Sequence, residues 1–249
     1  FFEVRQGFVR ATRKMCALLG DQTGDGYVFR TDLRLRPDPA VTPVCLAMEA
    51  AERYYESLGR TWERAAYIKA RPCAGDIAAG DRFLETLTPF VWRKHLDFAA
   101  IEDAHAMRLR IREHKGLGGP ITLPGHNVKL GRGGIREIEF YAQTQQLILG
   151  GRNPTLRLPG TLPALAALTR AGHVPEATRA ALSEAYVRLR GLEHRVQMLA
   201  DEQTHALPVE DDRRRAVAAL SGEADLAAFD ASVEALLAEV NRLYGDLFE

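Results

Sequence analysis

Apolar positions recur every three to four residues along most of this chain, the spacing of helices that bury one face. Over residues 8–19, Phe8, Met15 and Leu19 keep that spacing and Gly20 is a natural stop. Thr42-Pro43 reads as a cap followed by proline at a first helical position. Leu46, Ala50, Tyr54 and Leu58 then form one stripe, and Gly59 ends it. Thr61 is placed to cap the segment Trp62–Arg71, which Pro72 stops. Further helices are expected from Asp76 or Asp81, from Thr88-Pro89, and over 101–114. The second half continues in the same way. A stripe of Ile135, Ile138, Ala142 and Leu149 closes at Gly150-Gly151, and helices follow over 161–171, from Pro175 to before Pro208, over 211–220 and over 225–247.

Two stretches break this period. Residues 27–36 alternate with a period of two, so a strand is expected there. Tyr27, Phe29, Thr31, Leu33 and Leu35 fall on one face; Val28, Arg30, Asp32, Arg34 and Arg36 fall on the other. Residues 115–134 hold seven glycines and two prolines and open directly into the Ile135 helix. So long an irregular stretch inside a domain is either functional or a linker. The pattern gives a mainly α chain with a small α/β part, and no fixed-period repeat suggests a solenoid.

Composition narrows the function classes. The chain has 249 residues, with 33 Lys+Arg against 33 Asp+Glu, so its formal net charge is zero. No basic field argues for nucleic acid. Three cysteines, Cys16, Cys45 and Cys73, form no CxxC pair, which fits a reduced, cytoplasmic setting. No apolar run reaches the roughly 18 residues of a membrane span.

Candidate chemistry gathers at the two breaks. In the 27–36 segment, Arg30 and Arg34 bias Asp32 toward its ionised form, a good ligand for a hard cation. Guanidiniums beside it suit phosphate oxygens. The competing reading is a charged edge strand that discourages pairing with other chains. In residues 127–140, glycines allow close backbone approach to a ligand, and Lys129, Arg132 and Arg136 add charge at a helix N-terminus. The segment matches neither GxGxxG nor GxxxxGK[ST]. Along the helix Arg136, Glu139, Gln143 and Gln146 make a polar stripe, which periodicity alone reads as a solvated face. Glu193 and His194 are adjacent on a helix and so point apart, which argues against a dyad. No pair of histidines has metal-ligand spacing.

Four blocks carry a family resemblance: DGYVFRTDLRLRPD, YYESLGRTWERAAYIKARPCAGD, VKLGRGGIREIEFYAQTQQLILGGR and LRGLEHRVQMLADEQTHALP. In order and spacing they resemble the bifunctional glutamine synthetase adenylyltransferase/adenylyl-removing enzymes, and their wording is similar to the N-terminal, adenylyl-removing half. The resemblance implies the C-terminal portion of a polymerase-β-like nucleotidyltransferase domain over residues 1–97, followed by an all-helical bundle domain over 98–249. It implies removal of AMP from glutamine synthetase by phosphorolysis, a parent protein that also adds AMP from ATP, and Mg²⁺ as cofactor. The partners implied are glutamine synthetase, the PII signal protein, ATP or ADP, and phosphate. Asp32 matches the third metal-binding acid of that family. Arg34, Arg36, Lys129, Arg132 and Arg136 are candidates for phosphate or nucleotide on physical grounds. The family's Gly-Ser…Asp-x-Asp element has no counterpart here: Ser221-Gly222 has the reverse order and lies among helices. That element is expected before residue 1, and the chain alone is expected to be inactive. A PII uridylyltransferase and a non-catalytic helical binding module are the alternatives.

Overall fold

The computed structural model describes residues 2–94 and 116–247. The chain divides into two compact units, Phe1–Arg93 and Lys94–Glu249. The helix expected over 101–114 lies outside the described residues.

The first unit holds helices α1 (Phe2–Gly20), α2 (Met48–Ser57), α3 (Thr61–Tyr67), α4 (Ile77–Thr86) and α5 (Thr88–Val91). Its small core is aromatic. Tyr55 is 2% exposed, and its ring lies 5.0–5.1 Å from those of Tyr54, Tyr67 and Phe90. Buried Arg64 donates through Nε and a terminal nitrogen to the Val91 carbonyl at 3.2 and 3.1 Å, tying α3 to the end of α5. Asp76 caps α4, accepting from the Ala79 amide at 2.8 Å. Two expected starts shift. The Thr42 hydroxyl donates to the Asp38 carbonyl at 2.8 Å and to that of Pro37, so it ties a loop instead of capping, and α2 begins at Met48. Thr61 is the first helical residue of α3, and Glu63 accepts the Arg60 amide at 2.8 Å.

The strand expected over 27–36 does not form. Among the described residues the only β pairings are two isolated bridges, Thr23–Gly26 and Asn127–Ala206. A strand needs a neighbour for its alternate amides and carbonyls, and these residues find local partners instead. Val28 and Phe29 both donate to the Leu19 carbonyl at 3.0 and 2.8 Å. Asp32 accepts the Arg34 amide at 2.9 Å, an aspartate turn that competes with extension.

The second unit is a helical bundle with α6 (Ile135–Leu149), α7 (Thr161–Arg170), α8 (Glu176–Met198), α9 (Asp211–Leu220) and α10 (Leu226–Gly245). Helix α6 packs against α7, α8 and α10, and α8 also meets α7, α9 and α10. Ile135, Ile138, Leu165, Leu168, Leu182, Leu189 and Leu237 are fully buried in one core. Each such side chain contributes roughly 1.5–3 kcal/mol by leaving water. Gln146 is 1% exposed and donates to the carbonyls of Leu156 and Leu158 at 2.7 and 2.8 Å, fastening the short 3-10 turn Pro154–Leu156 onto α6.

Candidate functional site

Asp32 lies in the irregular segment after α1, with its side chain 52% exposed. Arg34 folds back onto it. Nε lies 2.9 and 3.0 Å from the two carboxylate oxygens, and a terminal nitrogen lies 2.5 Å from Oδ2. That side-chain contact, with the Arg34 amide, holds the carboxyl down to about 2, and Arg30 adds a smaller push. The expected bias toward the anion is therefore present, chiefly through Arg34, with Arg30 second. Arg36 turns the other way. Its guanidinium donates to the carbonyls of Leu33, Pro39 and Thr42, and Nε is buried without a hydrogen-bond partner.

One carboxylate clasped on both oxygens does not make a magnesium site. Among the described residues no group of three or more His, Cys, Asp or Glu side chains converges to hold a metal ion. The described residues do not by themselves fit a bound Mg²⁺.

The glycine-rich run has a different character from a phosphate loop. Several of its amides are already taken by neighbouring protein atoms. Lys129 and Leu130 donate to the Asn127 side chain at 3.1 and 2.8 Å, Gly131 donates to the Asn127 carbonyl at 2.8 Å, and Gly133 donates to Glu137 at 2.9 Å. Ile135 and Arg136, at the start of α6, donate to the carbonyls of Val128 and Lys129. Gly131, Gly133 and Gly134 serve packing. Gly133 has φ +71°, and a Cβ there would lie 1.9 Å from the Leu237 carbonyl oxygen of α10.

The same run meets the segment after α8. Val128 donates to the His205 carbonyl and Leu207 to the His126 carbonyl, both at 2.9 Å. This pairing sets Lys129 beside His205 and Glu193. Glu193, on α8, is 3% exposed. Its Oε1 takes Lys129 Nζ at 3.2 Å and His205 Nδ1 at 2.9 Å, and its Oε2 takes Arg190 at 2.7 Å. Arg190 also reaches Glu139 of α6 at 3.0 Å, and Arg136 reaches the other oxygen of Glu139 at 2.8 Å. Tyr186 donates its hydroxyl to Glu139 at 3.3 Å. Burial pushes the Glu193 carboxyl up, but Arg190 and Lys129 outweigh it and hold it below the usual range. Burial pushes His205 down, and Lys129 and Arg190 push the same way against Glu193, so its imidazole is neutral at neutral pH.

Of the candidate residues, Lys129 and Arg136 thus belong to one network. Arg132 does not join it: its Nε is buried without a hydrogen-bond partner. Asp32, Arg34 and Arg36 lie in the other unit. Of the polar stripe read as a solvated face, Arg136 is exposed but Glu139, Gln143 and Gln146 are inside, at 3%, 8% and 1% exposure. Sequence reasoning weighed Glu193 only against His194 and missed its partners Arg190 and His205. Glu193 does ignore His194, as expected for adjacent helix positions. Its partner is a histidine twelve residues on, with the loop between α8 and α9 bringing it back.

The second unit defines a class. Residues 105–248 match the family model for GlnD PII-uridylyltransferase, and residues 2–86 match that for glutamate-ammonia ligase adenylyltransferase. The chain belongs to this glutamine synthetase adenylyltransferase/PII-uridylyltransferase family. Among curated proteins it is similar to bifunctional glutamine synthetase adenylyltransferase/adenylyl-removing enzymes. It is 55% identical to that of Agrobacterium fabrum over 248 residues, 100% of this chain and 25% of the relative. Identity is 57% with the Caulobacter vibrioides enzyme over 240 residues, 96% of this chain and 24% of the relative. It is 61% with the Rhodopseudomonas palustris enzyme over 201 residues, 81% of this chain and 20% of the relative. The chain spans about a quarter of the length of the first two of these relatives.

Proposed function

We propose that the full-length protein carrying this chain regulates glutamine synthetase by removing AMP from it by phosphorolysis, releasing ADP, and that this chain is part of the adenylyl-removing half. The observation that carries the reading is the 55% identity running over 100% of the chain to a curated bifunctional enzyme. In this reading residues 1–97 are the back of a polymerase-β-like nucleotidyltransferase domain. Asp32 supplies one ligand of Mg²⁺ in concert with further acids of the full-length protein. The arginine clasp keeps that carboxylate ionised at any physiological pH. Arg34, whose side chain is 84% exposed, is the phosphate-binding candidate beside it. The setting is cytoplasmic, with glutamine synthetase, PII and ATP or ADP as partners. No helix among the described residues is long and apolar enough to cross a membrane.

A second reading has its own support. The match of residues 105–248 to the PII-uridylyltransferase model favours a related enzyme that acts on PII with UTP. The two separate in one assay. Full-length protein is incubated with adenylylated glutamine synthetase plus phosphate, and separately with PII plus UTP. The first reading expects ADP in the former and no uridylyl-PII in the latter; the reverse pattern overturns it.

A further inference from the structure

Among the described residues the Glu139–Glu193 network has more bases than acids. Among the described residues Lys129, Arg136 and Arg190 face two carboxylates, leaving one positive charge in excess. Its layering is also uneven. The carboxylate side chains are 4% and 3% exposed, whereas those of Lys129, Arg190 and Arg136 are 31%, 32% and 52% exposed. Acids lie beneath and bases lie at the rim. The acids fix the bases: Glu193 is shared by Lys129 and Arg190, and Glu139 by Arg190 and Arg136. Two of the bases keep donors to spare. Lys129 spends one of its three protons on Glu193, and Arg136 one of its five on Glu139. A clamp with a purely structural task would pair its charges and stop.

We propose that Lys129, Arg136, Arg190 and His205 form a binding site for a phosphate group, with Glu139 and Glu193 as positioning residues that hold the cations in place. Phosphate fits this rim better than a neutral ligand. Its oxygens take guanidinium donors in pairs, and its charge answers the excess. His205 adds a second device. Its Nδ1 faces Glu193 and its Nε2 has no partner among the described residues. A bound dianion stabilises the imidazolium against Lys129 and Arg190, the two cations that now oppose it. Binding of phosphate and protonation of His205 therefore favour each other. The inference deepens the proposed phosphorolysis, which consumes phosphate, but it is measured at equilibrium without turnover. Activity without phosphate binding here would sink this inference and leave the activity reading standing.

The test follows the His205 ring resonance of the 249-residue chain by NMR. It is assigned from the spectrum of His205→Gln. Inorganic phosphate is titrated against sodium chloride at matched ionic strength, with AMP and ADP in parallel. The expected result is a saturable shift with phosphate alone and a His205 titration midpoint moved upward. Loss of one charge-assisted contact, Arg136→Gln or Lys129→Gln, weakens binding about tenfold. Arg179→Gln, on the exposed start of α8, leaves it unchanged. Tighter binding of AMP or ADP than of phosphate identifies the group as part of a nucleotide; equal or weaker binding identifies free phosphate. A linear response, the same response to chloride, or wild-type binding by Arg136→Gln overturns the proposal.

Discussion

Arg190 is the residue on which the helical unit turns. Its guanidinium bridges buried carboxylates on α6 and α8 and lies over the Tyr186 ring, 5.3 Å from the centroid. Removing it leaves two desolvated carboxylates short of a partner. Arg190→Leu is expected to cost roughly 2–4 kcal/mol in urea unfolding, the lower figures reflecting its partial exposure. A loss below about 0.5 kcal/mol would mean the network is ornamental. The same network predicts acid sensitivity. The folded pKa of His205 lies below its ordinary 6.5, so the unfolded chain binds the proton more readily and stability falls as pH drops through that value. Glu193 is also depressed, so its contribution is present above the unfolded carboxylate range and is lost as pH falls toward its folded value. His205→Gln should therefore flatten the stability profile near pH 6 and leave the carboxylate limb below it. Little of this was legible in the sequence. Arg190 and Glu193 sit at i and i+3, but nothing local says that Lys129 and His205 meet them. That contact depends on two loops pairing across 77 residues of chain, from Val128 to His205.

Among the elements, periodicity did best where burial is amphipathic. Helices α7, α9 and α10 follow the apolar stripes closely, because in each the core decides the face; α6 keeps its expected bounds but is buried on its polar side as well, and α8 ends at Met198, short of Pro208. Helix α2 shows how a stripe misleads. Ala51 and Tyr55 are the buried pair, one residue on from the expected Ala50 and Tyr54. The 27–36 segment failed for a physical reason: alternation is necessary for a strand but pairing makes it one, and Asp32 and Arg34 close a local turn instead. The glycine-rich run stood out in the sequence, but its packing against α10 did not. Gly133 lets the loop press against α10, while several of the loop's amides bond within it or to the His205 and Leu207 carbonyls. Gly133→Ala must move the Leu237 backbone and also occupy positive φ. A loss of about 3 kcal/mol or more in chemical denaturation is expected. Gly222→Ala, with φ +85° and open space around it, should cost only about 1 kcal/mol. Equal losses at the two positions would contradict the packing role.

At the scale of the whole molecule the two units differ in finish. The second has a continuous core. The first shows Phe8, Leu18, Val28, Phe29 and Leu35 at 61–72% exposure among the described residues. So much exposed apolar surface predicts that the 249-residue chain alone binds a hydrophobic dye such as ANS under native conditions, whereas a fully covered domain would not. The family was legible because four long blocks survive in order. The reaction was not, since one carboxylate does not define a metal centre. The account therefore stands on Asp32. The most direct measurement is made on the full-length protein carrying Asp32→Asn, which keeps the size of the side chain and removes its charge. Release of ADP from adenylylated glutamine synthetase with phosphate, and transfer of AMP from ATP to the unmodified enzyme, are followed side by side. The account predicts AMP removal reduced at least about a hundredfold, with AMP addition retained. Wild-type removal, or loss of addition alone, would contradict it.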